Sequence, residues 1–139
     1  GLEALREKGL VIEERTYQTE HGPWTYFTVD EGSLEGDLLG IGTLESYLRL
    51  RAYYGRELVI PVYVEVDDGI RLARALKREN KPGNHRYEEM CRRFLADQKD
   101  FSEENLHKAG ITRRFSNDSD RSECIAGIAS YIRSIQEAE

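Results

Sequence analysis

The sequence predicts an α/β layer fold, and three observations carry that expectation. Helical and strand patterns alternate through the second half of the chain, as they do where helices pack on a sheet. The run Leu58-Val59-Ile60-Pro61-Val62-Tyr63-Val64-Glu65-Val66 is apolar enough for a strand covered on both faces, the pattern of parallel sheets. The stretch up to Val29 reads instead as a small antiparallel β unit.

Taken in order, Leu2 and Leu5 with charges between them suggest a short helix that Gly9 closes as a C-terminal cap. Leu10-Val11-Ile12 reads as a strand, Glu20 to Trp24 as a turn, and Trp24 to Val29 as the returning strand. Asp30 to Gly36 is a polar loop. A helix is expected from about Thr43 to Tyr54, with Gly55 ending it. Pro61 cannot donate to a sheet ladder, so it belongs near the start of the Leu58–Val66 strand. Asp68 is a sound N-cap for a helix from Gly69 to Glu79, which Lys81-Pro82-Gly83-Asn84 breaks. The next helix, about Arg86 to Asp97, stacks Tyr87, Met90, Cys91 and Phe94 on one face. Asp100-Phe101-Ser102-Glu103 offers a capping box for a short helix ending at Gly110. Ile111 to Ser116 is a candidate strand, and Asn117-Asp118-Ser119 caps a last helix in which Cys124, Ile125, Ile128, Ile132 and Ile135 keep helical spacing.

The totals bound the rest. A chain of 139 residues fits one domain with a real core. No apolar run approaches the roughly 18 residues of a membrane span, and the charged start lacks a signal-peptide pattern. Cys91 and Cys124, without metal-ligand spacing, read as small core residues of a reduced, cytoplasmic protein. No metal-ligating residues are identified. The chain opens without Met and inside a helical pattern, so it reads as a piece of something longer.

Charge is unevenly spread. Between Arg71 and Arg93 eight Lys/Arg face three Glu, a local +5 in a chain whose total is −6. A basic strip in an acidic protein suggests an anionic ligand held locally, while the acidic remainder argues against a nucleic-acid partner. At 100° per residue Arg71, Arg74 and Arg78 share about 60° of arc. Arg92 and Arg93 lie beyond the Pro-Gly break. Such a cluster can clamp a polyphosphate, because guanidinium groups bind phosphate bidentately and neutralise the charge of phosphoryl transfer. From pattern alone a solvated face salted with Glu79, Glu88 and Glu89 is the plainer account. In the N-terminal unit, Glu13 with Tyr26-Phe27-Thr28 offers an acceptor and two hydroxyls to a planar polar ligand; a carboxylate suits the adjacent ring N–H and exocyclic amine of guanine. Exposed Glu and strand Tyr/Thr are the commoner explanation of those residues.

Together, and in this order, the segments resemble guanylate kinase and its relatives among the nucleoside-monophosphate kinases. Gly9-Leu10-Val11-Ile12-Glu13 looks like the family segment whose Glu contacts guanine. Tyr26-Phe27-Thr28 is similar to the segment whose Tyr holds the GMP phosphate and whose hydroxyl reads the base. The helix carrying Arg71, Arg74 and Arg78, together with Arg92 and Arg93, resembles the mobile lid, whose arginines close on the phosphates, and Asn117-Asp118 resembles the pair beside the adenine of ATP. The resemblance implies a parallel-sheet P-loop-kinase-like core (37–70 and 99–139), an NMP-binding subdomain (1–36) and a helical lid (71–98), all in one domain. It also implies ATP with Mg²⁺ as phosphoryl donor and GMP as acceptor.

The departures from the family are specific. The chain contains no Gly-Lys pair, so the G-x-x-x-x-G-K-[ST] phosphate loop is absent from it, as is the paired-arginine segment that grips GMP. Gly40 stands where the family often has Asp, and the Glu20–Trp24 hairpin is longer than usual. Two readings follow: a GMP kinase that does not turn over as this chain alone, or a guanylate-kinase-like binding module without ATP chemistry. A core short of its first strand leaves an exposed sheet position, which suggests either a homodimer or poor stability.

Overall fold

The computed structural model describes residues 1–32 and 35–138, so Ser33 and Leu34 of the predicted Asp30–Gly36 loop lie outside the described residues. Its chain divides into two units, Gly1–Ile60 and Pro61–Glu139. The architecture is mixed α/β, with one small antiparallel sheet and one small parallel sheet.

The first unit opens with α1 (Leu2–Glu7). Gly9, at φ +69°, donates its N–H to Arg6, and Leu10 donates to Leu5, the paired bonds that close a helix through a left-handed glycine. Strands β1 (Val11–Thr19) and β2 (Gly22–Val29) then pair antiparallel from Val11↔Val29 to Thr19↔Gly22, with an irregularity between Val11 and Glu13. The expected strand Leu10–Ile12 is therefore only the beginning of a nine-residue one. Its continuation is polar because a two-stranded ribbon exposes much of its surface, and hydrophobicity does not mark such a strand. Helix α2 (Leu44–Tyr54) starts on Thr43, whose side chain accepts from the Ser46 N–H at 3.3 Å, and ends at Gly55, as expected.

The second unit contains β3 (Tyr63–Glu65), α3 (Asp68–Glu79), α4 (Tyr87–Asp100), α5 (Glu103–Lys108), β4 (Arg114–Ser116) and α6 (Arg121–Glu137). The parallel pairing exists, Tyr63↔Arg114 through Glu65↔Ser116, but it is short. The expected strands Leu58–Val66 and Ile111–Ser116 both shrink to three residues. Leu58 is 74% exposed and Ile60 41%, so the apolar run is not covered on both faces. Pro61 brings no N–H to a ladder, and β4 offers only three residues to pair with.

Helix starts shift for identifiable reasons. Asp67, one residue before the expected cap, accepts from the Ile70 N–H at 3.2 Å. Asp118 does not cap α6, because its Oδ1 accepts from the Asp67 N–H at 2.7 Å. Asp120 takes the role, accepting from Ser122 at 2.8 Å. Ser102 caps α5 through the Asn105 N–H, and α4 runs on to Asp100. The apolar core of this unit is Leu106, Ala109, Ile111, Phe115 and Cys124, with Tyr131 packing its ring 5.5 Å from Phe115. Cys91, expected inside, is exposed; one position round the helix from Met90, it falls off the packed face.

Candidate functional site

In the hairpin, strand alternation places Glu13, Arg15 and Tyr17 of β1 on one face, opposite Thr28, Tyr26 and Trp24 of β2. Glu13 and Thr28 are cross-strand partners, and the Thr28 hydroxyl donates to Glu13 Oε1 at 3.2 Å. The other carboxylate oxygen, Oε2, pairs with the Arg15 guanidinium at 3.4 Å, and the Glu13 side chain is only 12% exposed. Further out, Tyr26 meets Tyr17 edge to face at 5.9 Å and remains largely exposed. Three of the sequence-predicted residues, Glu13, Tyr26 and Thr28, thus share one face: a sheltered carboxylate and hydroxyl beside an exposed phenol.

Behind that face stands the start of α2. Arg15 donates to Thr43 Oγ1 at 3.0 Å and to the Ser46 hydroxyl. Ser46 is buried, and a side chain at Gly42 would come within 3.0 Å of its Cβ, so the chain approaches α2 through a glycine. Arg15 and Ser46 were not singled out from sequence, and Thr43 was named only as a helix start. The available signals were the i, i+2 spacing of Glu13 and Arg15 and the Thr43-x-x-Ser46 cap, but neither names the other as its partner.

The predicted residues of the second unit go to separate destinations. Arg74 donates to the backbone carbonyls of Asn117 (2.8 Å) and Asp118 (3.3 Å), tying α3 to the loop before α6. Asn117 donates its N–H to the Glu65 carbonyl at 2.8 Å. Its side-chain Oδ1 is buried and accepts no hydrogen bond among the described residues, an open acceptor of a kind that proteins seldom leave unused. Arg92 grips Glu89 with two nitrogens at 2.8 and 2.7 Å, and Arg93 reaches the same carboxylate at 3.0 Å. These hydrogen bonds, Arg92's first, hold the Glu89 carboxyl down at about 2. Arg78 is exposed, and its backbone carbonyl accepts from Asn84. Arg71 of the predicted stripe lies 4.0 Å over the Phe94 ring and bonds Gln98, so it packs α3 on α4. The structure brings Arg74 to Asn117 and Arg92 to Arg93, but gathers the four predicted catalytic arginines around no common partner.

Between α3 and α4, His85 takes φ +56°, its Nδ1 lies 3.1 Å from the Tyr87 hydroxyl, and that hydroxyl donates to Asn80. A groove of about 470 Å³ opens there, lined by His85, Arg86, Tyr87, Glu88, Glu89 and Arg92. Among the described residues no group of three or more His, Cys, Asp or Glu is placed to hold a metal ion. Among the same residues no helix is long and apolar enough to cross a membrane.

Comparison with protein-family models, with curated proteins and with solved structures finds no match to this chain.

Proposed function

We propose that this chain is a guanylate-kinase-like nucleotide-recognition protein whose first unit binds GMP. The observation that carries the reading is the sheltered Glu13–Thr28 pair on one hairpin face, with the Tyr26 phenol beside it. Guanine offers a ring N–H next to an exocyclic amine, two donors that a carboxylate accepts. Adenine presents a bare ring nitrogen there, which a carboxylate repels. Thr28 donates to the carboxylate and keeps lone pairs for the base, and we assign Tyr26 to the acceptor phosphate.

In the second unit, Arg74, Arg78, Arg92 and Arg93 are the cations we assign to the phosphates, and the open Asn117 Oδ1 the acceptor we assign to the adenine amine of ATP. Phosphoryl transfer from ATP to GMP asks for positioning and charge neutralisation more than for a general base. These 139 residues contain no G-x-x-x-x-G-K-[ST] loop. We therefore assign recognition to them and leave turnover to a phosphate loop supplied by other residues, with Mg²⁺ arriving on the ATP phosphates.

A second reading, a guanylate-kinase-like binding module without ATP chemistry, draws support from Arg92 and Arg93. Both are committed to Glu89 within their own helix, so one carboxylate already competes with a phosphate for these two cations. Calorimetric titration separates the outcomes. The reading expects GMP to bind at least about tenfold more tightly than AMP, the worth of one charge-assisted hydrogen bond, and Glu13→Gln to remove that preference. Equal affinity for GMP and AMP in the unmodified chain overturns it.

A further inference from the structure

We propose that Arg15 is the residue that sets base selectivity in this hairpin, acting as a positioning residue on Glu13 and coupling it to the start of α2; this rests on the guanine-recognition reading above. A carboxylate that discriminates between two purines must present its lone pairs in a fixed direction, since a rotating one accepts from whatever donor approaches. Glu13 is fixed at both oxygens, Oε1 by the Thr28 hydroxyl and Oε2 by Arg15. Thr28 alone leaves the carboxylate free to swing about that one bond, and Arg15 removes the freedom.

Arg15 is itself anchored. Its Nη1 donates to Thr43 Oγ1 and its Nη2 to the Ser46 hydroxyl, so the planar guanidinium spans the N-cap hydroxyl and one hydroxyl of α2 as well as the carboxylate. Both anchors belong to the helix cap: Thr43 accepts from the Ser46 N–H while receiving Arg15. Ser46 is the buried polar side chain of the described residues, at 3% exposure, and Gly42 lets the chain pass closely over it. A buried hydroxyl needs a partner, and Arg15 supplies one. The geometry is that of a strut running from the cap of α2 to the carboxylate, not of a surface ion pair left to solvent. It assigns Arg15 no contact with a nucleotide.

The selectivity ratio, Kd for AMP over Kd for GMP, tests this because a purely structural tie does not move it. Arg15→Lys keeps the charge but cannot span two hydroxyls and a carboxylate at once, and Ser46→Ala removes an anchor while leaving Arg15 in place. Circular dichroism establishes that each variant is folded. The expectation is a ratio of about tenfold or more in the unmodified chain, falling by about tenfold in Arg15→Lys and by a smaller factor in Ser46→Ala. A folded Arg15→Lys with the full ratio overturns the positioning role and leaves guanine recognition standing. An unmodified chain with a ratio near one overturns both. Loss of GMP and AMP binding in equal proportion shows that Arg15 only supports the hairpin, and also overturns the proposal.

Discussion

The two units of this chain are held together by different chemistry. In the first, Leu44 is the buried apolar residue among those described, and the hairpin meets α2 through Arg15, Glu13, Thr43, Ser46 and Thr28. In the second, the buried residues Leu106, Ala109, Ile111, Phe115 and Cys124 make up an apolar core to which β4 and α6 contribute. A polar tie is directional, so it fixes side-chain orientation at modest net stability. An apolar cluster is non-directional and contributes in proportion to buried area. The unit in which Glu13 is bonded at both oxygens uses the first device. The unit that must hold helices against a short sheet uses the second.

The largest effect that sharpens this contrast comes from the core. Leu106 is 1% exposed, so Leu106→Ala should cost about 2–5 kcal/mol in urea unfolding followed by circular dichroism, which reports mainly the helices of the second unit. A loss below about 1 kcal/mol would show that the cluster is not what holds that unit. Ser46→Ala comes next: it leaves an Arg15 donor without its partner and should cost about 1–3 kcal/mol. The single Trp of the chain, Trp24, lies in the hairpin, so its fluorescence follows the first unit. Ser46→Ala should shift the fluorescence transition and leave the Leu106-dependent transition in place; coincident shifts in both would dissolve the comparison.

The acidic pairing in α4 yields an effect on binding. Glu89 sits at about 2 because Arg92, and after it Arg93, donate to it. A carboxyl lowered in the folded state favours folding above its unfolded value of about 4.3, and that contribution is lost as pH falls through about 2. Carbon-detected NMR of the Glu side chains should show one carboxyl titrating near 2; a Glu89 midpoint above about 4 removes the pairing. Glu89→Gln weakens that pairing at neutral pH and should raise affinity for pyrophosphate several-fold, with stability little changed because the group is exposed. The smallest expected effect is Lys108→Ala, which removes an exposed pair with Glu104 (2.9 Å) and should stay within about 0.5 kcal/mol in the same urea assay.

Much of the local structure was legible in the sequence because local rules specify it. Gly9 and Gly55 end their helices, Thr43 begins one, and the spacing of Tyr87, Met90 and Phe94 marks α4. Misplaced features were those decided by distant partners. Leu58–Val66 looks like a buried strand because its composition is apolar, yet pairing stops after three residues where β4 stops. Asp118 looks like an N-cap because Asp favours that position, yet the Asp67 N–H, far along the chain, takes its oxygen. Arg71 looks like a member of a phosphate-facing stripe, yet Phe94 and Gln98 take its guanidinium for packing.

By itself the sequence determined that the chain mixes α and β structure and roughly where its helices lie, and it offered Glu13 and Thr28 as candidates for a polar ligand. Only the tertiary structure decided that the two face each other across the hairpin, and that Arg15, Thr43 and Ser46 stand behind them. The physical reason is range. Caps and periodicity act over a few residues and leave a trace in neighbouring letters, whereas a hydrogen bond between Arg15 and Ser46 exists only once the chain has folded back on itself.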